Sequence, residues 1–316
     1  MQLQTHIPLK PEKKQIGYSD KLLLLGSCFV ENIGKKLDYY KFSSYLNPFG
    51  ILFHPQAVLN LLERVEQQRE FTEEDVFFLN ERWHCYEVHS DFSNPSRETI
   101  LANLNKVLYA VHESLKEVDY VVITPGTAWA YELRNTHRVV ANCHKVPQKE
   151  FNKVLCSVPA LQRCLRSIVD LVHRYNQKAK IIFTVSPVRH LKDGFVENQR
   201  SKAHLLTAVH DTIRDAVNSF YFPSYEIMMD ELRDYRFYNA DMVHPNEVAI
   251  DYIWEKFKEV WIDPKATELM GEIDKIQKGL AHKPFNPNSE QHHAFLEKIQ
   301  NKIKTIQKQY PSIKFS

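Results

Sequence analysis

The sequence predicts an α/β fold built on a mostly parallel sheet of five strands. Short apolar runs recur along the chain, each run stops at a glycine, a proline or a polar loop, and stretches with helical apolar spacing lie between them. Unbroken apolar runs suit strands buried on both faces, which is what helices packed on both sides of a sheet produce.

The first run, KLLLL (Lys21 to Leu25), stops at Gly26, and a helix is expected through Asn32 to Leu37. A second short strand is placed near Tyr45, before the loop that holds Asn47-Pro48 and Phe49-Gly50. Val58, Leu61, Leu62 and Val65 predict a helix over Gln56 to Gln68. Two aromatic-rich runs around Asn80-Glu81-Arg82 predict a hairpin inserted within Val76 to Val88. Ser96 to Lys116 carries Ile100, Leu104, Val107, Leu108, Val111 and Leu115 on one helical face. YVVITPG (Tyr120 to Gly126) reads as the third strand, followed by an excursion with a turn near Asn135 and a helix over Leu161 to Tyr175. IIFTVSP (Ile181 to Pro187) reads as the fourth strand, Gln199 to Phe220 as a helix and SYEIMMD (Ser224 to Asp230) as the fifth strand. Pro245 opens a last helix over Asn246 to Trp261. The division expected is a body over residues 1–262 and a Lys-rich extension over 263–316, with Phe295, Ile299, Ile303, Ile306 and Tyr310 spaced for a helix that packs on the body.

Composition narrows the function. Lys plus Arg total 41 and Asp plus Glu 39, a net charge of +2, which argues against nucleic acid or an anionic membrane as the main partner. No run approaches the ~18 apolar residues of a membrane span, and the N-terminal stretch lacks the apolar core of a secretory signal. Cys28, Cys85, Cys143, Cys156 and Cys164 are odd in number and show no CxxC spacing, so reduced thiols in a cytoplasmic protein are expected. No ligand spacing suggests a metal, and no phosphate-binding glycine motif suggests a nucleotide cofactor.

Ligands in open α/β sheets gather beyond the carboxyl ends of the strands. Those ends carry Gly26-Ser27-Cys28, Asn47 to Gly50, Gly126-Thr127-Ala128-Trp129, Ser186 to His190, and Asp241 to Pro245. Ser27, at a strand-to-helix turn, is a candidate nucleophile, and a plain helix N-cap is the competing reading. Asp241 and His244, three residues apart, can face one another, so that the carboxylate orients the imidazole. Arg189, His190 and Trp129 are candidate substrate contacts, with Trp83 and His84 possible partners in a sugar-facing wall and core packing the bland alternative. Cys143-His144 are adjacent, and adjacent strand residues point apart, which disfavours a Cys-His pair.

Six ordered blocks, LLLGSCFVENIG, NPFGILFHP, TPGTAWAYE, ANCHKVP, TVSPVRH and DMVHPN, resemble the GSCFA family, which is related to the SGNH (GDSL-like) hydrolases. Gly26 to Phe29 match the motif that gives the family its name, with Val30 in place of its last alanine. The resemblance covers about Lys21 to Trp261 and implies a flavodoxin-like three-layer sandwich with strand order 2-1-3-4-5. It implies Ser27 as nucleophile, Asp241 and His244 as its partners, and backbone N–H groups of Ser27 and Gly50 in the oxyanion hole. The block-three asparagine of SGNH enzymes is missing, and Thr127 or Asn142 is expected to substitute. The implied activity is hydrolysis of an acyl ester, such as acetyl on a carbohydrate, through an acyl-enzyme and without a cofactor. Acyl transfer by the same residues and a catalytically weak glycan-binding module are the alternatives.

Overall fold

A computed structural model describes residues 5–315. In chain order the elements are β1 (Lys21–Gly26), α1 (Cys28–Tyr39), β2 (Ser43–Leu46), α2 (Pro55–Glu66), β3 (Phe77–Leu79), β4 (Arg82–His84), α3 (Arg97–Glu117), β5 (Tyr120–Thr124), β6 (Trp129–Leu133), β7 (Val139–Val140) and β8 (Phe151–Leu155). There follow α4 (Val158–Tyr175), β9 (Lys180–Phe183), α5 (Phe195–Asp215), β10 (Ser219–Tyr221), α6 (Ser224–Glu226), α7 (Glu247–Trp261), α8 (Pro264–Ala281) and α9 (Glu290–Gln309).

The main sheet is five-stranded and parallel in the order β2-β1-β5-β9-β10, which is 2-1-3-4-5 counted along the sheet. Successive residues of β1 serve opposite faces. Leu23 and Leu25 join a core with α2, α3, α4 and α5, while Leu22 and Leu24 join a second core with α1 and α7. Helix, sheet and helix therefore form three layers. The hairpin β3–β4 and a three-stranded antiparallel sheet, β7-β6-β8, are the two excursions.

The fifth strand is displaced from the expected segment. SYEIMMD is not a strand: Ser224–Glu226 begins a helix that continues as a π-turn over Ile227–Glu231, and the strand is Ser219–Tyr221, which overlaps the end of the segment expected to be helix. A short apolar run does not by itself distinguish strand from buried helix. Here Pro223 separates the two elements, and Glu and Met favour the helix. Helix α7 starts one step later than expected: Asn246 is its N-cap, its side chain accepting the Ala249 N–H at 3.1 Å.

Two helices follow residue 263. Ala266 and Met270 of α8 join the core beneath α1 and α7, while Ile273 and Ile276 pack on Ile299, Ile303 and Ile306 of α9. Among the described residues no helix is long and apolar enough to cross a membrane.

Gly26 fixes the geometry on which the strand-end site depends. Its φ is +140°, and a Cβ there would lie 2.3 Å from the Thr124 carbonyl oxygen, so only glycine fits between β1 and β5. Its N–H donates to Asn47 Oδ1 at 2.9 Å, and its carbonyl accepts the Leu52 N–H at 2.9 Å. The chain thus leaves β1 held from both sides and delivers Ser27 to the start of α1.

Candidate active site

Ser27 is the N-cap of α1, its Oγ accepting the Phe29 N–H over a long 3.4 Å, and it has no exposed surface. Its neighbourhood is defined by Gly126, at the end of β5. A Cβ on Gly126 would lie 3.1 Å from Ser27 Cβ, 3.0 Å from His190 Nε2 and 3.3 Å from the Phe53 ring. Ser27 and His190 therefore crowd the same face of one glycine.

Asp241 and His244 lie in the loop that precedes α7. Asp241 Oδ1 accepts the Val243 and His244 N–H groups at 2.8 and 3.0 Å, and Oδ2 pairs with His244 Nδ1 at 2.7 Å. Those two backbone N–H bonds, then the imidazole, hold the Asp241 carboxyl down to about 2. With Nδ1–H committed to the carboxylate, Nε2 is left to accept a proton. Both side chains are about half exposed. Their loop is tied to the one after β9: the Arg189 N–H donates to Val243 O at 3.2 Å and its Nη1 to Met242 O at 3.4 Å. The Arg189 guanidinium stacks 3.9 Å from the Tyr238 ring centre. His190, the next residue, thus links the neighbourhood of Ser27 to the loop that carries His244.

The four oxyanion donors expected from sequence are engaged elsewhere. The Ser27 N–H donates to Thr124 O at 2.9 Å, and the Gly50 N–H closes a turn on Asn47 O at 2.7 Å. Gly50 is also packed on His89, whose Cβ would lie 2.3 Å from a Cβ at that position. The Thr127 N–H donates to Phe53 O at 3.2 Å, while its hydroxyl pairs with Ser201 at 3.1 Å and accepts the Trp129 N–H at 3.0 Å. Asn142 belongs to the excursion, its N–H on Tyr86 O at 3.4 Å and its Oδ1 accepting the His144 N–H at 2.8 Å. Strand-end loops carry their own backbone bonds, which a motif does not reveal.

Other expected contacts also find different surroundings. The Trp129 indole N–H reaches Glu197 O at 3.4 Å, and Lys153 Nζ lies 4.9 Å from its ring centre. Trp83 lies tilted against Phe78 and beneath Arg97 in the hairpin region, while His84 binds Ser93 Oγ and Leu79 O with its two nitrogens. At Cys143-His144 burial pushes the thiol up to about 11 and the imidazole down to about 4, against a thiolate–imidazolium pair, and His144 Nε2 is bound to Cys85 O at 2.7 Å. Burial likewise raises the Cys28 thiol, against a thiolate beside Ser27.

Sequence reasoning missed the inner face of α5. Asn198, Ser201 and Lys202, at helical spacing, are all buried and each secures a strand-end loop. Asn198 Oδ1 accepts the His190 N–H at 2.8 Å, Ser201 Oγ accepts the Ala128 N–H at 2.7 Å, and Lys202 Nζ donates to Gly126 O and Ser186 O, both at 2.7 Å. ENQRSKAH reads as a solvated helix face, and only the fold shows it turned inward. Asn47 Nδ2, Thr124 Oγ1 and His190 Nε2 complete this region as buried polar atoms without hydrogen-bond partners among the described residues.

Lys202 makes no ion pair with a carboxylate among the described residues, and burial pushes its ammonium from 10.5 down to about 7. The unfolded chain therefore holds more protons than the folded chain between about pH 7 and 10.5, and folding stability rises with pH across that window. Lys202→Met removes this contribution. Urea midpoints measured from pH 6 to 10 are expected to climb more in the wild type than in the variant, with parallel curves the contrary result.

No curated protein matches the sequence. Among solved structures the chain is similar to a carbohydrate esterase family 3 protein from Talaromyces cellulolyticus, at 9% identity and a TM-score of 0.36, with 80% of this chain and 99% of that one covered. The C-terminal domain of GSCFA domain proteins matches residues 273–316. The GSCFA family matches residues 21–257, from the first strand into α7, and with that span enclosing Ser27, Gly126, His190 and His244 the chain belongs to the GSCFA family.

Proposed function

We propose that the protein is a serine esterase of the SGNH type, with Ser27 as nucleophile, His244 as general base and Asp241 as the group that orients it. The observation that carries this reading is the Asp241–His244 pair: a 2.7 Å bond to Nδ1 from a carboxylate that keeps its charge, leaving Nε2 free on the rim of the strand-end cleft. Ser27 stands at the N-terminus of α1, where the helix dipole favours developing negative charge. His244 Nε2 takes the Ser27 proton as Oγ attacks the acyl carbonyl. The alkoxy group leaves with that proton, and water releases the acyl group by the same path in reverse. Because Ser27 is fully covered, an ester reaches Oγ only after a local displacement, for which the half-exposed 241–244 loop is suited. Arg189, whose guanidinium stacks on Tyr238, contacts the alcohol portion in this reading, and an acetylated carbohydrate is the substrate class proposed.

The shielding of Ser27 also favours a second reading, acyl transfer, since an acyl-enzyme closed from bulk water persists until an acceptor hydroxyl enters. A fluorophosphonate probe tests both. The expected result is one adduct per chain on the peptide that contains Ser27, with acetate released from acetylated oligosaccharides. Folded protein that takes up no probe rejects both readings.

A further inference from the structure

We infer that His190 is a catalytic residue, its Nε2–H donating to the carbonyl oxygen as negative charge develops there. The inference rests on Ser27 being the nucleophile and concerns a role the usual backbone donors do not fill. The N–H groups of Ser27, Gly50 and Thr127 are all bound to carbonyls within the protein, as is that of Gly126, which donates to Phe53 O at 2.8 Å. His190 Nε2, by contrast, is buried without a partner and faces the glycine that abuts Ser27. A buried polar atom with no partner is costly, and one aimed at a nucleophile is accounted for if a substrate atom completes it.

The residue is held in place. Its N–H is fixed on Asn198 Oδ1 at 2.8 Å, and its ring stands edge-on to Phe53 with centres 5.4 Å apart. Lys202 bonds the carbonyls of Gly126 and Ser186, joining the two loops that bring His190 and Gly126 to Ser27. The charged or titratable groups that act on the ring are Lys202 of α5 and His244 of the facing loop, and both disfavour its protonation. Burial, with those two neighbours, pushes it down to about 3, so the imidazole is neutral at physiological pH. A neutral imidazole donates a hydrogen bond without surrendering its proton, the pattern known where a low-pKa histidine acts as an electrophile. When the Ser27 Oγ–carbon bond forms, the carbonyl π pair moves onto oxygen and is held by the Nε2–H, while the hydroxyl proton goes to His244. Collapse restores the carbonyl and expels the alkoxy oxygen, which takes the proton from His244. Asn47 Nδ2, also buried without a partner, belongs to the amide that anchors Gly26 and is the natural second donor.

The test compares His190→Phe with His190→Gln, the latter keeping an amide N–H. With p-nitrophenyl acetate, His190→Phe is expected to lower kcat by about 100- to 1,000-fold with KM within about threefold, and His190→Gln to recover at least about tenfold of that loss. The ascending limb of the pH–rate profile should stay unchanged in His190→Phe. A kcat within about threefold of wild type in His190→Phe overturns the inference, as does loss or displacement of that limb, which would make His190 the base. If His190→Phe fails to fold, His190→Gln decides: a shifted limb, or a loss well beyond about 100-fold, counts against the donor role. Fluorophosphonate labelling of wild-type Ser27 separates the two claims. Labelling with unaffected His190 variants defeats this inference alone, and absence of labelling defeats the esterase reading beneath it.

Discussion

Replacing Ser27 with alanine is expected to lower ester turnover by roughly four to six orders of magnitude, the scale on which a triad nucleophile acts. The fold should persist. The Ser27 N–H bond to Thr124 O does not involve the side chain, and the Oγ gives α1 only a 3.4 Å cap, so the loss is about 0.5–2 kcal/mol. Initial rates on an activated ester and a thermal melt check the two halves together. Retained turnover by folded Ser27→Ala protein excludes Ser27. The Asp241 pair adds a pH expectation. Its carboxyl, held down to about 2, loses its charge only as pH falls through that value. A rate that declines in the mildly acidic range therefore reports a group other than Asp241.

The largest effect on stability is expected at Arg64→Met. Arg64 is almost fully buried in α2, and its guanidinium gives Nε to Glu87 Oε2 at 2.9 Å and Nη2 to Glu87 Oε1 at 2.7 Å and Asp75 Oδ1 at 2.6 Å. Nη1 adds the carbonyls of Arg69 and Glu70, and the group stacks 4.1 Å from the Phe71 ring centre. Removing it leaves the buried Glu87 with the part-exposed Arg138 as its remaining charged partner among the described residues. Breaking a buried pair from one side costs about 3–5 kcal/mol. Urea unfolding should show that loss, and adding Glu87→Gln should recover part of it, because the stranded charge is then gone. A loss under about 1 kcal/mol would mean that Arg138 or water replaces the pair.

Three strands of the main sheet, β1, β5 and β9, were legible because they are buried on both faces and read as unbroken apolar runs, while the order 2-1-3-4-5 was implied by the family resemblance. β10, with three residues, gives almost no pattern, whereas the helical Ser224–Glu231 segment carries enough apolar residues to imitate a strand. The Asp241–His244 hydrogen bond was legible because three residues of a loop bring the two side chains together locally. The backbone bonds of the strand-end N–H groups were not, because they depend on which distant carbonyl the folded loop meets, such as Phe53 O for both Gly126 and Thr127. Lys202 escaped notice for a related reason: a lysine in a polar helical stretch signals solvent until the fold turns it beneath Gly126 and Ser186.

The proposed chemistry requires the half-exposed His244 imidazole to reach the buried Ser27 hydroxyl. A crystal structure of the protein inactivated by an acyl-phosphonate measures that meeting directly. It should show phosphorus bonded to Ser27 Oγ, with His244 Nε2 in hydrogen-bond reach of that oxygen or of the leaving-group position and the Asp241 bond to Nδ1 intact. Phosphorus on any other side chain, or an adduct on Ser27 with His244 out of reach of it, would contradict it.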